Sequence, residues 1–101
     1  MTKTLAVFFR HGSQWNRDLP VRGQAYWDEH AIFMDELFES GAVILGGPFA
    51  DGSGSMVILT AESAEAARTI FQEDPWTRLD ILVVDEVKEW TIFLDARARS
   101  C

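Results

Sequence analysis

The segment 42–61, AVILGGPFADGSGSMVILTA, decides the fold expected of this chain. It holds two apolar runs, AVILGGPF over 42–49 and SMVILTA over 55–61, which are separated by Asp51-Gly52-Ser53-Gly54. Short runs rich in β-branched residues are typical of strands, and a cluster of Asp, Gly and Ser indicates a turn. Pro48 has no N–H to donate to a sheet, so it is expected to end the first strand. The segment therefore predicts a β-hairpin.

A helix is predicted on each side of this hairpin, over 24–40 and 64–72. Gly41 is well placed to end the first helix, and Ser63 is a typical N-cap for the second. Asp74 ends the second helix, because a residue before proline avoids the helical region. Helical spacing puts Tyr26, His30, Phe33 and Leu37 on one apolar stripe of the first helix, and Trp27, Met34 and Phe38 on the adjoining stripe. The acidic residues of this segment are expected on the opposite, solvent-facing side: Asp28, Glu29, Asp35, Glu36 and Glu39. The inward-facing residues of the second are Ala67, Ile70 and Phe71.

Two further strands, over 4–10 and 80–94, complete the predicted elements, and a polar loop is expected over 12–21. The order β-α-β-β-α-β predicts an α+β protein with the ferredoxin-like βαββαβ arrangement and an antiparallel sheet. We expect one domain over 1–95 and a polar C-terminal tail over 96–101.

Both faces of the predicted sheet are apolar, although an antiparallel sheet with one wet face should alternate apolar and polar residues. In this topology two helices cover one face only. The other face is therefore expected to pack against a second copy of the chain, giving a homodimer in the form of a dimeric α+β barrel. Covering by the loop and the tail is the alternative, but those segments carry few large apolar residues. Alternation along the first strand predicts that Leu5, Val7 and Phe9 face one side of the sheet and that Ala6 and Phe8 face the other. In the hairpin it predicts one face for Val43 and Leu45 and the opposite face for Ile44.

Composition narrows the class of protein. A net charge of −7 and nine scattered basic residues argue against nucleic-acid binding, which depends on clustered Lys and Arg. No apolar run is long enough to span a bilayer, and the N-terminus lacks a signal-peptide core. We therefore expect a cytoplasmic protein with no membrane partner. Cys101 is the only cysteine, so no disulfide framework is predicted, and the dispersed His and Cys residues predict no metal site.

His30 is the most informative single residue, because it places a titratable ring on a helix stripe that is otherwise apolar. A buried imidazole must find a polar partner or lose its charge. Asp74, far along the chain, is the partner that the sequence offers.

These residues resemble those of the YciI-like (YCII-related) family. The resemblance is carried by His30 on the first helix, by Gly46-Gly47-Pro48-Phe49 after Gly41, and by Asp74-Pro75-Trp76. It implies a dimeric α+β barrel in which the helix His and the Asp before Pro form an active-site pair. One family member with similar Gly-Gly-Pro and Asp-Pro-Trp segments is a chlorohydroxyhydroquinone dehydrochlorinase. The polar insert at 12–21 departs from the shorter members of the family.

The pair has two interpretations. If Asp74 accepts a hydrogen bond from one nitrogen of His30, it fixes the tautomer and leaves the other nitrogen free to take a proton as a general base. Such a base would suffice for elimination of HCl from a chlorinated hydroxyquinol or for a proton shift on an enolic ring. Alternatively, His30 is a core histidine whose polar atoms a carboxylate satisfies, with no substrate.

Further residues are candidates for substrate binding, each with a structural alternative. Gly46, Gly47 and Pro48 allow close approach of the backbone to a ligand, or mark a bulge beside the turn. Arg10 and His11 end the first strand, where side chains can reach a cleft, and Arg10 is suited to an anionic phenolate. Flat apolar walls for a ring are expected from Trp76 and Phe49.

The first functional hypothesis is a small cofactor-free lyase or isomerase acting on a hydroxylated ring compound, with or without chlorine substituents. The second is a non-catalytic dimer that binds a small ligand or a protein, with His30 and Asp74 as a structural pair. A haem or oxygen-using barrel is a third possibility that rests on fold analogy alone.

Overall fold

The computed structural model describes residues 1–98, so the predictions for Cys101 and the end of the tail lie outside the described residues. The strands are β1 (Lys3–His11), β2 (Val43–Pro48), β3 (Ser55–Ala61) and β4 (Leu82–Glu89). The helices are α1 (Trp27–Glu39), α2 (Ala64–Phe71) and α3 (Pro75–Arg78). Single turns of 3-10 helix occur at Val21–Gly23 and Ala96–Ala98.

The four strands form one antiparallel sheet in the order β2-β3-β1-β4. This order confirms the ferredoxin-like α+β fold. The central pair is in register with Leu5 opposite Leu59 and Val7 opposite Val57. Those side chains point toward the helices and form the core with Phe71 of α2 and Trp76 of α3. We call the other side of the sheet the open face, and its residues include Ala6, Phe8, Leu45, Met56 and Ile58.

The predicted helix caps at Ser63 and Gly41 are confirmed. The Ser63 side chain accepts a hydrogen bond from the Ala66 N–H at 3.0 Å. After α1, the Gly41 N–H donates to the Phe38 carbonyl and the Ala42 N–H donates to the Leu37 carbonyl. This pair of bonds is a Schellman motif, and it requires the left-handed φ of 87° that Gly41 adopts without steric cost.

The expectation that Val43 and Leu45 share a face is wrong. Val43 pairs with Leu59, whereas Leu45 pairs with Ile58, so a bulge at Ile44 shifts the register by one residue. One extra residue in a strand reverses the faces of all that follow. Val43 therefore enters the core, while Leu45 lies on the open face and is 54% exposed.

The expectation that Tyr26 belongs to the apolar stripe of the first helix is also wrong. The helix begins at Trp27, and Tyr26 precedes it with a left-handed φ of 61° and an exposed side chain. The last strand ends at Glu89 rather than at residue 94. Its neighbour β1 begins at Lys3, and the Trp90 N–H already bonds the Thr4 carbonyl, so β1 offers few further partners to a longer strand.

Within residues 1–98, none of the helices has the length and apolar character that a bilayer crossing requires.

Candidate active site

His30 and Asp74 meet as expected, although they are far apart in sequence. His30 Nδ1 lies 2.8 Å from Asp74 Oδ2 and 3.0 Å from Oδ1. The Asp74 side chain is 1% exposed and the His30 side chain 13%. A carboxylate can only accept, so Nδ1 carries the proton in this pair. Nε2, the second ring nitrogen, engages no hydrogen bond in the described part of the chain.

Trp76 holds both members of the pair in place. Its indole ring stacks on the His30 imidazole with ring centroids 3.9 Å apart and planes 3° from parallel. Its backbone N–H donates to Asp74 Oδ1 at 3.0 Å, which makes Asp74 the N-cap of α3. The indole Nε1–H donates to the Ala25 carbonyl at 2.7 Å. Asp74 therefore has two roles, because the carboxylate that caps the helix starting at Pro75 also contacts His30.

A cavity of about 480 Å³ lies beside the pair. Its walls come from α1, from the whole of β2, from the ends of β1 and β3, and from the loop before α1. Apolar and aromatic surface dominates these walls, as in most sites for small molecules. The aromatic side chains other than His that line it are Phe9, Trp15, Trp27, Phe38 and Trp76.

The loop over 12–21 closes one side of the cavity through Trp15 and Val21. Gln24, which is buried, holds this loop from within. Its Oε1 accepts from the Asn16 N–H at 2.9 Å, and its Nε2 donates to the carbonyls of Asn16 and Leu19 at 2.7 and 3.0 Å. At the other end of the loop, the backbone N–H and the hydroxyl of Ser13 both donate to the Asp80 carboxylate.

The structure brings most of the predicted site residues to this cavity. His11, Gly46, Gly47, Pro48 and Trp76 line it together with His30 and Asp74. Arg10 does not, because alternation along β1 turns it to the open face, where its Nε lies 3.6 Å from Asp85 Oδ1. Phe49 lies outside the lining, at the start of the hairpin turn, where its N–H donates to the Gly54 carbonyl.

The titratable residues on the cavity wall are two histidines and two aspartates, namely His11, His30, Asp35 and Asp74. Burial lowers the pKa of His11, and the positive charge of Arg17 lowers this pKa further. Residues 1–98 contain no group of three or more His, Cys, Asp or Glu side chains placed to hold a metal ion.

Sequence reasoning missed several residues of the site. Asp35 lies on the side of α1 that was expected to face solvent, Phe38 lies on the adjoining apolar stripe but was not assigned to the site, and Ser55 begins β3. Gln24 was placed inside the helix and not recognised as the anchor of the loop. Helical spacing carries no signal for these roles, because each depends on contact with a distant segment.

The βαββαβ fold and the His–Asp pair beside an aromatic cavity make this a small α+β protein with a candidate active site in the cavity. Within that class, the chain belongs to the YCII-related domain family, whose model matches residues 13–91. No curated protein matches the chain.

One solved structure similar to this chain is 5-chloro-2-hydroxyhydroquinone dehydrochlorinase from Burkholderia phenoliruptrix, in complex with 2,5-dihydroxybenzoquinone. The two are 23% identical, with a TM-score of 0.64, and the match covers 86% of this chain and 93% of that one. This likeness shows a shared fold.

Proposed function

We propose that the chain is an enzyme of the lyase or isomerase type that removes a proton from a hydroxylated aromatic or enolic ring compound. His30 is the general base and Asp74 orients it. The observation that carries the proposal is the 2.8 Å contact of Nδ1 with a buried carboxylate, which leaves Nε2 free on a ring that lines a cavity. A carboxylate in this position fixes the tautomer in which Nε2 is unprotonated and ready to accept a proton.

The proton step serves both reaction types. In an elimination, the substrate is the tautomer whose chlorine-bearing carbon is saturated. Nε2 takes the enol proton, the O–H electron pair forms a carbonyl, and the ring double bond shifts. Chloride then leaves with the electron pair of the C–Cl bond, so HCl is lost overall. In an isomerisation, the same nitrogen takes the proton from oxygen and returns it to carbon. The Asp74 carboxylate offsets the positive charge that the imidazole gains meanwhile.

The cavity walls support a flat ring as the substrate. Trp27 and Phe38 offer aromatic surface, and Trp76 lies parallel to His30. Gly46 and Gly47 have no side chains, so the backbone of β2 is accessible to a ligand. A backbone N–H there is suited to stabilise the oxyanion that forms when a ring hydroxyl loses its proton. The known activity of the structural neighbour, which acts on a chlorinated hydroxyhydroquinone, is consistent with this substrate class.

We propose further that the working form is a homodimer in which two open faces pack together. The open face carries Leu45, which is 54% exposed, beside the partly exposed Phe8 and Met56, and exposed apolar surface of this kind marks interaction sites. Phe93 and Leu94, in the segment after β4, are two more exposed apolar side chains, at 90% and 94%.

A second candidate function is a non-catalytic module that binds a small ligand or a protein partner. This candidate is favoured by the structural contacts of Asp74, because its carboxylate caps α3 and also bonds His30, which stacks on Trp76. In that case the pair stabilises the fold and transfers no proton.

Turnover of ring compounds separates the two candidates. The wild-type protein and His30→Ala are assayed against a panel of chlorinated hydroxyquinols and enolic ring compounds, with Glu29→Ala as the control from the exposed side of α1. The enzyme proposal predicts a loss of about 10²–10⁴-fold for His30→Ala and none for Glu29→Ala. Binding of ring compounds without turnover by the wild type would favour the module instead.

A further inference from the structure

His11 is a second imidazole on the wall of the same cavity, and the proposed proton transfer does not use it. It is the last residue of β1, opposite Leu82, and it points toward the helix side of the sheet. Its ring stacks on Trp15 with centroids 3.8 Å apart and planes 5° from parallel. The ring is free of side-chain hydrogen bonds to the described residues, so its polar atoms are available to a ligand.

Four rings connect His11 to His30. Each imidazole lies flat on an indole, and the two indoles meet edge to face, with the Trp15 and Trp76 centroids 5.8 Å apart and an interplanar angle of 86°. Stacking restrains both imidazoles, so the separation between them is set by the packing of the two tryptophans. A ligand in the cavity therefore has two restrained imidazoles on its walls.

The electrostatic surroundings give the two histidines different properties. His30 is held by a carboxylate, whereas burial and Arg17 lower the pKa of His11. A neutral imidazole has one N–H donor and one acceptor nitrogen. It can therefore bind either a hydroxyl or a carbonyl oxygen of a ring without carrying a charge.

We propose that His11 is a specificity-determining residue that binds a second ring oxygen of the molecule whose first hydroxyl faces His30. This inference rests on the proposed function and narrows its substrate class to rings that carry two separated oxygen substituents.

The test compares two ligands of nearly equal shape, hydroquinone and p-cresol, in which a methyl group replaces the second hydroxyl. Dissociation constants are measured for the wild type, for His11→Phe, which keeps a flat ring against Trp15, and for His11→Asn, which keeps hydrogen-bonding groups. The preference for hydroquinone should fall about 2–10-fold in His11→Phe, the worth of one net hydrogen bond, and should be partly kept in His11→Asn. The affinity for p-cresol should not fall in either variant, because its methyl group forms no hydrogen bond with residue 11.

Imidazole NMR of the wild type decides the question even if a variant fails to fold, since the chain has only two histidines. Hydroquinone should shift the ¹⁵N resonances of both rings, whereas p-cresol, which offers His11 no hydrogen bond, should shift only those of His30. An unchanged ligand preference in a folded His11→Phe, or a His11 ring that hydroquinone does not shift, overturns the role of His11 and leaves the proposed function intact. If neither ligand shifts either ring, both proposals fail.

Discussion

At the scale of single residues, Asp74 makes two hydrogen bonds that a substitution can separate. Asn at this position keeps an oxygen that can accept from the Trp76 N–H, so the N-cap of α3 survives. Its amide N–H₂ would face His30 Nδ1, which must then become the acceptor and move the proton to Nε2. We expect Asp74→Asn to fold, to show the opposite His30 tautomer by ¹⁵N NMR, and to lose nearly all turnover.

Asp74→Ala is the matched variant, because it also removes the cap. Asp74→Ala should lower the free energy of unfolding by about 0.5–2 kcal/mol more than Asp74→Asn does, as measured by urea unfolding. A tautomer in Asp74→Asn that is the same as in the wild type would contradict the assigned role of the carboxylate.

His11 gives a prediction about pH. Its pKa is lowered chiefly by burial and secondly by Arg17, so the unfolded chain binds this proton first as the pH falls. The folded state should therefore lose stability as the pH falls below the ordinary histidine value and through the lowered pKa of His11. The NMR titration midpoint of His11 should lie below that of the urea-unfolded chain. Arg17→Gln should raise it only in part, and a full return to the unfolded value would assign the shift to charge alone.

At the scale of elements, Gln24 connects the loop over 12–21 to the start of α1. Its side chain is buried and bonds the backbone of Asn16 and Leu19, so its removal leaves those groups without partners. Gln24→Ala should cost about 1–3 kcal/mol of unfolding free energy and speed amide exchange in the loop. Gln14→Ala, on the exposed part of the same loop, is the control and should change neither.

A loop that exchanges no faster in Gln24→Ala than in the wild type would show that the contacts of Ser13 with Asp80 suffice to hold it.

The elements differ in how far the sequence predicts them. Turn residues, caps and alternation predict the hairpin, both main helices and the order of the elements along the chain, because these signals are local. The start of α1 was predicted too early because the Gln24 side chain bonds the backbone of the loop, so Gln24 lies outside the helix. The face of Leu45 was predicted wrongly because no local signal marks the bulge at Ile44.

The site was predicted unevenly for the same reason. His30 and Asp74 were paired correctly, since an inward-facing imidazole needs a polar partner. Arg10 was expected at the cavity, but side chains alternate along β1, so Arg10 lies on the open face of the sheet. The cavity itself depends on contacts between distant segments and carries no signal in the sequence.

At the scale of the whole molecule, the open face should join two copies. The wild type should have about twice the 11.4 kDa mass of one chain in solution. Phe8→Glu places a charge on the open face and should give monomers that remain folded, because Phe8 lies outside the helix-side core. Glu36→Lys, on the exposed side of α1, is the control and should leave the mass unchanged. Wild-type protein that stays monomeric at millimolar concentration would contradict the dimer.

The measurement that tests the central claim most directly is the ¹⁵N spectrum of the His30 ring as hydroquinone is added to the wild-type protein. We predict that Nδ1 stays protonated against Asp74 throughout, while the Nε2 resonance shifts and reaches saturation. A ligand that saturates the tryptophan fluorescence of the cavity yet leaves Nε2 unmoved would show that His30 does not face the substrate.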